Sequence, residues 1–217
     1  MKPYKEFIPL VTAQREKRAN FKTLLSCVMP RPIAFVSTIS QSGVANLAPF
    51  SFFNAVGSNP PAVIFSPATK ADGTEKDTVT NLRAVPEFVI NVVSFEIREA
   101  MNEASFPFPP EVSEFAQTGF TPLPSKLVKP PRAAESPAHL ECKLCKIVKV
   151  GHGPLSANIC IGEVLCFHIA SEMLGEDETV DVAKVDLIGR LSGDDYATIR
   201  DRFELQKPTP KEKNRPR

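Results

Sequence analysis

Three short clusters in this 217-residue chain carry side chains suited to holding a phosphate or a flat, partly polar ring system. In residues 31–38 (RPIAFVST), Arg31 opens a strand-like run and Ser37 and Thr38 close it. A cation and two hydroxyls at the ends of a strand can address a phosphate, although Ser and Thr there serve equally as turn formers. Residues 46–55 set Phe50, Phe52 and Phe53 around Ser51, with Asn54 closing the run and Ala48-Pro49 before it. Pro49 is expected to break the strand and bare backbone polar groups beside aromatic surface. A ring cofactor needs that pairing of apolar faces and edge hydrogen bonds, and a core strand with packed Phe gives the same pattern. The third cluster, Lys76-Asp77-Thr78, starts a predicted helix. Free backbone N–H groups, a hydroxyl and a Lys charge make an anion site there, and a plain cap by Asp77 with a solvated Lys is the simpler alternative.

Other chemistries find less support. There is no Walker A or GxGxxG fingerprint, and no GxSxG elbow accompanies His139, His152 and His168. Cys142-x-x-Cys145 is the only close cysteine pair among Cys27, Cys142, Cys145, Cys160 and Cys166. Residues three apart on a strand point to opposite faces, which is poor geometry for a shared metal, so no metal is expected. An odd cysteine count without an apolar leader predicts a reduced, cytoplasmic protein. No run of roughly 18 apolar residues exists, so no membrane span is expected. The net charge of +1 argues against a dedicated nucleic-acid binder. Both ends are basic: residues 1–31 hold seven Lys/Arg against two acids, and residues 207–217 hold five against one.

The elements that must position these clusters are mostly strands. Runs at 32–39 and 44–50 flank a Gln41-Ser42-Gly43 turn and predict a hairpin. Further strands are expected at 62–66, 87–94, 139–150, 158–170 and 184–191. In the long run 158–170, Ile159, Ile161, Leu165, Phe167 and Ile169 share one parity. Short helices are expected at 77–84, 95–104 and 194–205, the last from the spacing of Tyr196, Ile199, Arg200 and Phe203. Eight of the 21 prolines fall in residues 107–137. That Pro-rich excursion, about 105–137, reads as irregular chain with a short helix near 111–117, and such a long excursion is usually functional or interface-forming. The pattern predicts one mainly β domain over residues 1–206, an antiparallel barrel with flanking helices, and a disordered basic tail over 207–217.

Taken in order, RPIAFVST (31–38), NLAPFSFFNAVGSNPP (46–61), KDTVTNL (76–82), EFVINVVS (87–94), FAQTGFTPLPS (115–125), ESPAHLECKL (135–144) and GRLSGDDYATI (189–199) resemble the flavin reductase-like, FMN-binding split-barrel family. The resemblance spans residues 26–203. It implies a six-stranded antiparallel split barrel, a homodimer with flavin near the subunit interface, FMN rather than FAD, and NAD(P)H as electron donor. It implies that Ser37 and Thr38 lie near the flavin phosphate and ribityl chain. Residues 48–54 would line the isoalloxazine, and Lys76 and Thr78 the phosphate, with Asp77 as cap. Arg31 becomes a further phosphate candidate. Arg190 and Tyr196 match the element that approaches the nicotinamide. Ser192 stands where the family commonly carries a glycine, and the turn at 151–154 is Gly-His-Gly-Pro, so the nicotinamide side departs more than the flavin side. Three roles are open to such a chain: an NAD(P)H:flavin reductase serving an oxygenase or another electron acceptor, a non-enzymatic FMN electron carrier, or a flavin-free binding module. No protein general base is needed for the first.

Overall fold

A computed structural model describes residues 5–207. The tail from residue 208 onward lies outside the described residues. The first regular helix, α1 (Lys17–Cys27), precedes β1 (Ala34–Ile39) and β2 (Ala45–Phe50). These strands pair antiparallel around a turn in which Gly43 takes φ +88°, a conformation that favours glycine. β3 (Phe53–Ser58) and β4 (Pro61–Phe65) form the next hairpin. α2 (Asp77–Ala84) leads into β5 (Glu87–Asn91), and two short helices follow, α3 (Arg98–Glu103) and α4 (Glu114–Thr118). A two-stranded clip, β6 (Pro122–Leu123) with β7 (Arg132–Ala133), lies in the Pro-rich excursion. Two 13-residue strands, β8 (Ala138–Val150) and β9 (Ala157–Ile169), complete the main sheet. α5 (Val182–Val185) and the hairpin β10 (Ile188–Arg190) and β11 (Tyr196–Thr198) end the described fold.

The main sheet is antiparallel throughout, with the order β2-β1-β5-β8-β9-β4-β3. Four strands separate β2 from β4, yet the Phe50 and Phe65 rings stand 5.5 Å apart. The sheet therefore curls until its two ends share one interior. That interior holds Val36, Phe65, Leu82, Phe88, Ile90 and Cys160. Each fully buried Phe there contributes about 2–3 kcal/mol of transfer free energy. Gly162 allows the closest approach: a Cβ at this position would stand 2.3 Å from the Phe88 ring. A second cluster on the other side of β1, around Phe35, Leu47, Met101, Phe115 and Phe120, seats α3 and α4 on the sheet.

Several expectations are corrected. The antiparallel, mainly β barrel is as expected; its sheet has one strand more than the six that the resemblance implied, the addition being β3. Pro49 does not break its strand: Phe35 pairs with Pro49 and Ala34 with Phe50. β2 is an edge strand, where a missing N–H leaves no ladder bond unmade. In place of the expected helix over 194–205 the chain makes a turn, the short return strand β11 (Tyr196–Thr198) and irregular chain beyond it. Gly193 at φ +61° and the bond from Leu191 N–H to the Asp195 carbonyl (2.9 Å) close a turn that overrides the helical spacing. The strand expected at 184–191 is divided into α5 and β10. α1 was not anticipated and has no buried residue, so it carries little apolar periodicity to read. In β9 the buried residues are Asn158, Cys160, Gly162 and Val164. The apolar parity is the half-exposed one, with Leu165 39% and Phe167 57% accessible.

Candidate functional site

A cleft of about 770 Å³ opens between α1, the β2–β3 turn, α3 and the β10–β11 hairpin. Pro49, Phe50, Ser51 and Phe52 form its floor. Arg18, Phe21, Lys22 and Leu25 of α1 form its roof, with the Phe21 ring edge-on to Phe52 at 6.5 Å. Arg190, Tyr196 and Asn102 close one side. A smaller recess of about 180 Å³ shares Pro49, Phe50 and Ser105 with the cleft and continues to Ala48, Lys70, Lys76, Asp77 and Thr78. The two form one trough, with an aromatic floor and lysines at one end. At the wall of the larger cleft the buried Ser66 hydroxyl has no hydrogen-bond partner among the described residues. A buried hydroxyl left unpaired calls for a partner, which a ligand's polar edge at that wall can supply.

The lysine end stands on the start of α2. The first amides of that helix have no carbonyl of their own helix to bond, and Lys76 makes no capping hydrogen bond. Asp77 is not the cap that was expected: it lies in the first turn and pairs with Lys70 at 3.1 Å. Thr78 lines the recess but donates its hydroxyl to Asn46 Oδ1 (2.9 Å). Thr38 donates to the same oxygen (3.2 Å) and accepts from Asn81 (3.1 Å). Glu114 of α4 accepts from the Asn46 side chain and from Leu47 N–H, each at 2.8 Å. This buried network binds β1, β2, α2 and α4 beneath the trough floor. Ser37 is likewise buried, donating its hydroxyl to the Pro131 carbonyl of the Pro-rich excursion. Neither Ser37 nor Thr38 lines the trough; they support it.

Arg31 is also placed differently from the expectation that it meets a phosphate. It is 4% exposed, and its guanidinium donates to the carbonyls of Leu25 (3.0 Å), Val28 (2.7 Å) and Leu191 (2.6 Å) and to the Ser51 hydroxyl (3.4 Å). Burial, with Arg190 nearby as a second cation, holds its pKa below the ordinary arginine value. Its donors tie α1, the β2–β3 turn and the terminal hairpin together. Arg190 stacks 4.4 Å over the Tyr196 ring and hydrogen-bonds the Tyr196 hydroxyl and the Gly193 carbonyl. Phe53 and Asn54 begin β3, beyond the lining of the trough. Phe53 packs on the barrel interior, and Asn54 accepts from Ala55 N–H at 2.8 Å.

The remaining titratable groups lie elsewhere. Cys142 and Cys160 are buried, and burial pushes both thiols up, Cys160 to about 12; Cys145 is exposed. The fully buried Glu141 accepts from the N–H groups of Lys126 (2.7 Å) and Leu127 (2.6 Å) and from His168 Nε2 (2.6 Å). Burial would raise its pKa, but these bonds outweigh it and the value falls. The residues that sequence reasoning missed are Arg18, Phe21 and Lys22 of α1, Ser66, Lys70 and Asn102. Each acts through tertiary placement, and none sits in a distinctive local motif.

A family model described as a flavin reductase like domain matches residues 25–184. A curated protein of Halalkalibacterium halodurans is 40% identical over 195 residues, 89% of this chain and 93% of that protein. Nitrilotriacetate monooxygenase component B from Bacillus cereus superposes with a TM-score of 0.88 at 32% identity, over 93% of this chain and 100% of its own. The 2-nitrobenzoate 2-nitroreductase of Pseudomonas fluorescens gives 0.84 at 29%, over 94% and 98%.

Proposed function

We propose that this chain, which belongs to the flavin reductase-like domain family, is an FMN-binding NAD(P)H:flavin oxidoreductase. The observation that carries the reading is the trough itself: an aromatic floor with an orphaned Ser66 hydroxyl at its wall, leading to an anion-binding helix start at Lys76. The residues present fit the cofactor. Its cleft volume is in the range of about 300–1,000 Å³ usual for ligand sites. Phe21 and Phe52 offer apolar surface to a ring system, and Lys76 with the first amides of α2 offers charge-assisted donors to a phosphate. A monophosphate fits the recess, which favours FMN over FAD.

When bound, FMN supplies the acceptor for a hydride from the dihydronicotinamide. The chain's own residues bind, orient and shield. Residues 49–52 would hold the ring from below, Phe21 and Leu25 of α1 would shield it from water, and the Arg190–Tyr196 stack would border the entry of a donor. No side chain has to move a proton for hydride transfer, which agrees with a site built from cations, aromatics and amides. Reduced flavin would then serve an oxygenase or another electron acceptor.

The half-exposed apolar faces of β3 and β9, including Val56, Leu165 and Phe167, support a homodimer that covers them. Light scattering should give twice the chain mass, and a Phe167→Lys variant should shift toward monomer. Among the described residues no helix is long and apolar enough to cross a membrane. The five cysteines form no disulfide, as suits a reducing cytoplasm.

Titration of the purified protein with FMN, followed by its visible spectrum, tests the cofactor. NAD(P)H oxidation then tests the activity. Saturable binding with turnover supports the reading. Binding without turnover leaves an electron carrier, and absence of binding removes both.

A further inference from the structure

The trough holds more uncommitted positive charge than one flavin phosphate uses. Resting on the flavin site proposed above, we infer that Arg18 and Lys22 of α1 hold a phosphate group of the nicotinamide dinucleotide and so set the preference for the electron donor.

The argument begins with charge. Four cations line the larger cleft, Arg18, Lys22, Arg31 and Arg190, against one acid, Asp194. Arg31 spends its donors on three carbonyls and the Ser51 hydroxyl. Arg190 is stacked on Tyr196, bonded to its hydroxyl, and lies 3.4 Å from Asp194. Arg18 and Lys22 form no ion pair among the described residues. They stand four residues apart on α1 and therefore on one helix face, and both line the cleft. Two free cations one helical turn apart match the two charges of a diphosphate, and a guanidinium can take phosphate oxygens in pairs.

Placement supplies the second part. Lys70 and Lys76 line only the recess, whereas Arg18 and Lys22 line only the larger cleft; the two share Pro49, Phe50 and Ser105. FMN has one phosphate, and the α2 start takes it. The α1 cations then face the side of the ring where the donor must lie, next to Arg190 and Tyr196. α1 has no buried residue, so its cleft-facing charges are not explained by packing. Arg31 pins its C-terminal end through the Leu25 and Val28 carbonyls, which fixes the helix as a roof over the cleft.

The test uses FMN-loaded protein carrying Arg18→Ala with Lys22→Ala. Steady-state rates are measured with NADH, with NADPH and with dihydronicotinamide riboside, which has no phosphate. The expected result is a rise of about tenfold in KM for the dinucleotides with kcat retained, as for loss of a charge-assisted contact. The kcat/KM preference for dinucleotide over riboside should fall by the same factor, while the FMN Kd stays put. A rise for both dinucleotides identifies the diphosphate as the bound group; a rise for NADPH alone identifies the 2′-phosphate. An unmoved KM for both overturns the inference and leaves the reductase reading standing. A parallel loss of FMN affinity also overturns it, because the flavin phosphate would then sit on α1. Wild-type protein that binds FMN but oxidises no dinucleotide removes the reductase reading and this inference together.

Discussion

Replacing Arg31 with Met separates two roles that the sequence alone does not distinguish. If Arg31 met a flavin phosphate, its loss would weaken FMN binding and leave the fold intact. The structure gives it a structural task. Its guanidinium makes three charge-assisted bonds to carbonyls, at 2.6, 2.7 and 3.0 Å, from a position 4% exposed. Hydrogen bonds to charged groups contribute about 1.5–3 kcal/mol each. The Leu25 and Val28 carbonyls end an exposed helix and can turn to water, so their share is reduced. The Leu191 carbonyl loses its guanidinium donor. A net loss of about 3 kcal/mol follows. For a chain of this length that corresponds to a fall of about 6–12 °C in Tm. Because Arg31 pins α1, the same variant should expose Arg18 and Lys22 to trypsin well below the melting temperature. Thermal melts, limited proteolysis and FMN titration on one preparation decide the matter. An unchanged Tm with FMN affinity down tenfold or more would refute the reasoning and return Arg31 to the phosphate.

Lys76→Ala should weaken FMN binding by about 1–2 kcal/mol, since an exposed charge-assisted donor is lost and the helix amides remain; an unchanged Kd in fluorescence titration removes Lys76 from the site. Gly162→Ala should destabilise by about 1–3 kcal/mol, because the new Cβ would stand 2.3 Å from the Phe88 ring and the interior must repack; a Tm within a degree of wild type would show that Phe88 yields freely. Stability should fall on acidification. His139 is 6% exposed, and burial, aided by the neighbouring cation Arg132, lowers its pKa to about 4. The unfolded chain therefore binds a proton from about pH 6.5 downward while the folded chain does not, and about 2 kcal/mol is lost by pH 5. Urea unfolding at pH 7 and pH 5 reads this directly, and a His139→Gln variant should lose most of the difference.

The strands of the sheet were legible because β-branched and aromatic runs bounded by Gly and Pro leave little choice: β1, β2, β4, β5, β8 and β9 fall within a few residues of their expected ends. α2 was legible to the residue, Asp77–Ala84. What failed did so for identifiable reasons. A Pro in a strand reads as a break unless the strand is known to be an edge, and being an edge is a tertiary fact. Tyr196, Ile199 and Phe203 keep helical spacing, but the Ser192-Gly193-Asp194-Asp195 turn sets the local path. The apolar parity of β9 turned out to be the more exposed one, because small and polar residues, Asn158, Cys160 and Gly162, fill the crowded interior face. Of the candidate site, the segments that line the cleft floor and the recess, 49–52 and 76–78, stood out in sequence because each is contiguous. The α1 roof was not, because Arg18, Phe21 and Lys22 acquire meaning only when Arg31 folds that helix over residues 49–52.

Three hydroxyls expected at the ligand are bonded within the fold instead. Ser37, Thr38 and Thr78 have the small hydroxyls that a phosphate would accept, at the strand end and helix start where phosphates bind. The same hydroxyls are also what a buried carboxylate and amide need if their polar atoms are to be satisfied away from water. Here the second demand prevails. Glu114 is 7% exposed, and among the described residues no cation pairs with it, so its oxygens are met by Asn46 and the Leu47 amide. Asn46 then has one oxygen left, and Thr38 and Thr78 meet it. Each member is fixed by the next, so β2 and α2 are held at one separation and the trough keeps its width before any ligand arrives. Lys76 stands outside this network with its charge unspent. Preorganisation of the floor and freedom of Lys76 are thus two halves of one arrangement: the hydroxyls of Thr38 and Thr78 are consumed in building the trough, and the Lys76 ammonium, for which the fold has no other use, is left at its end.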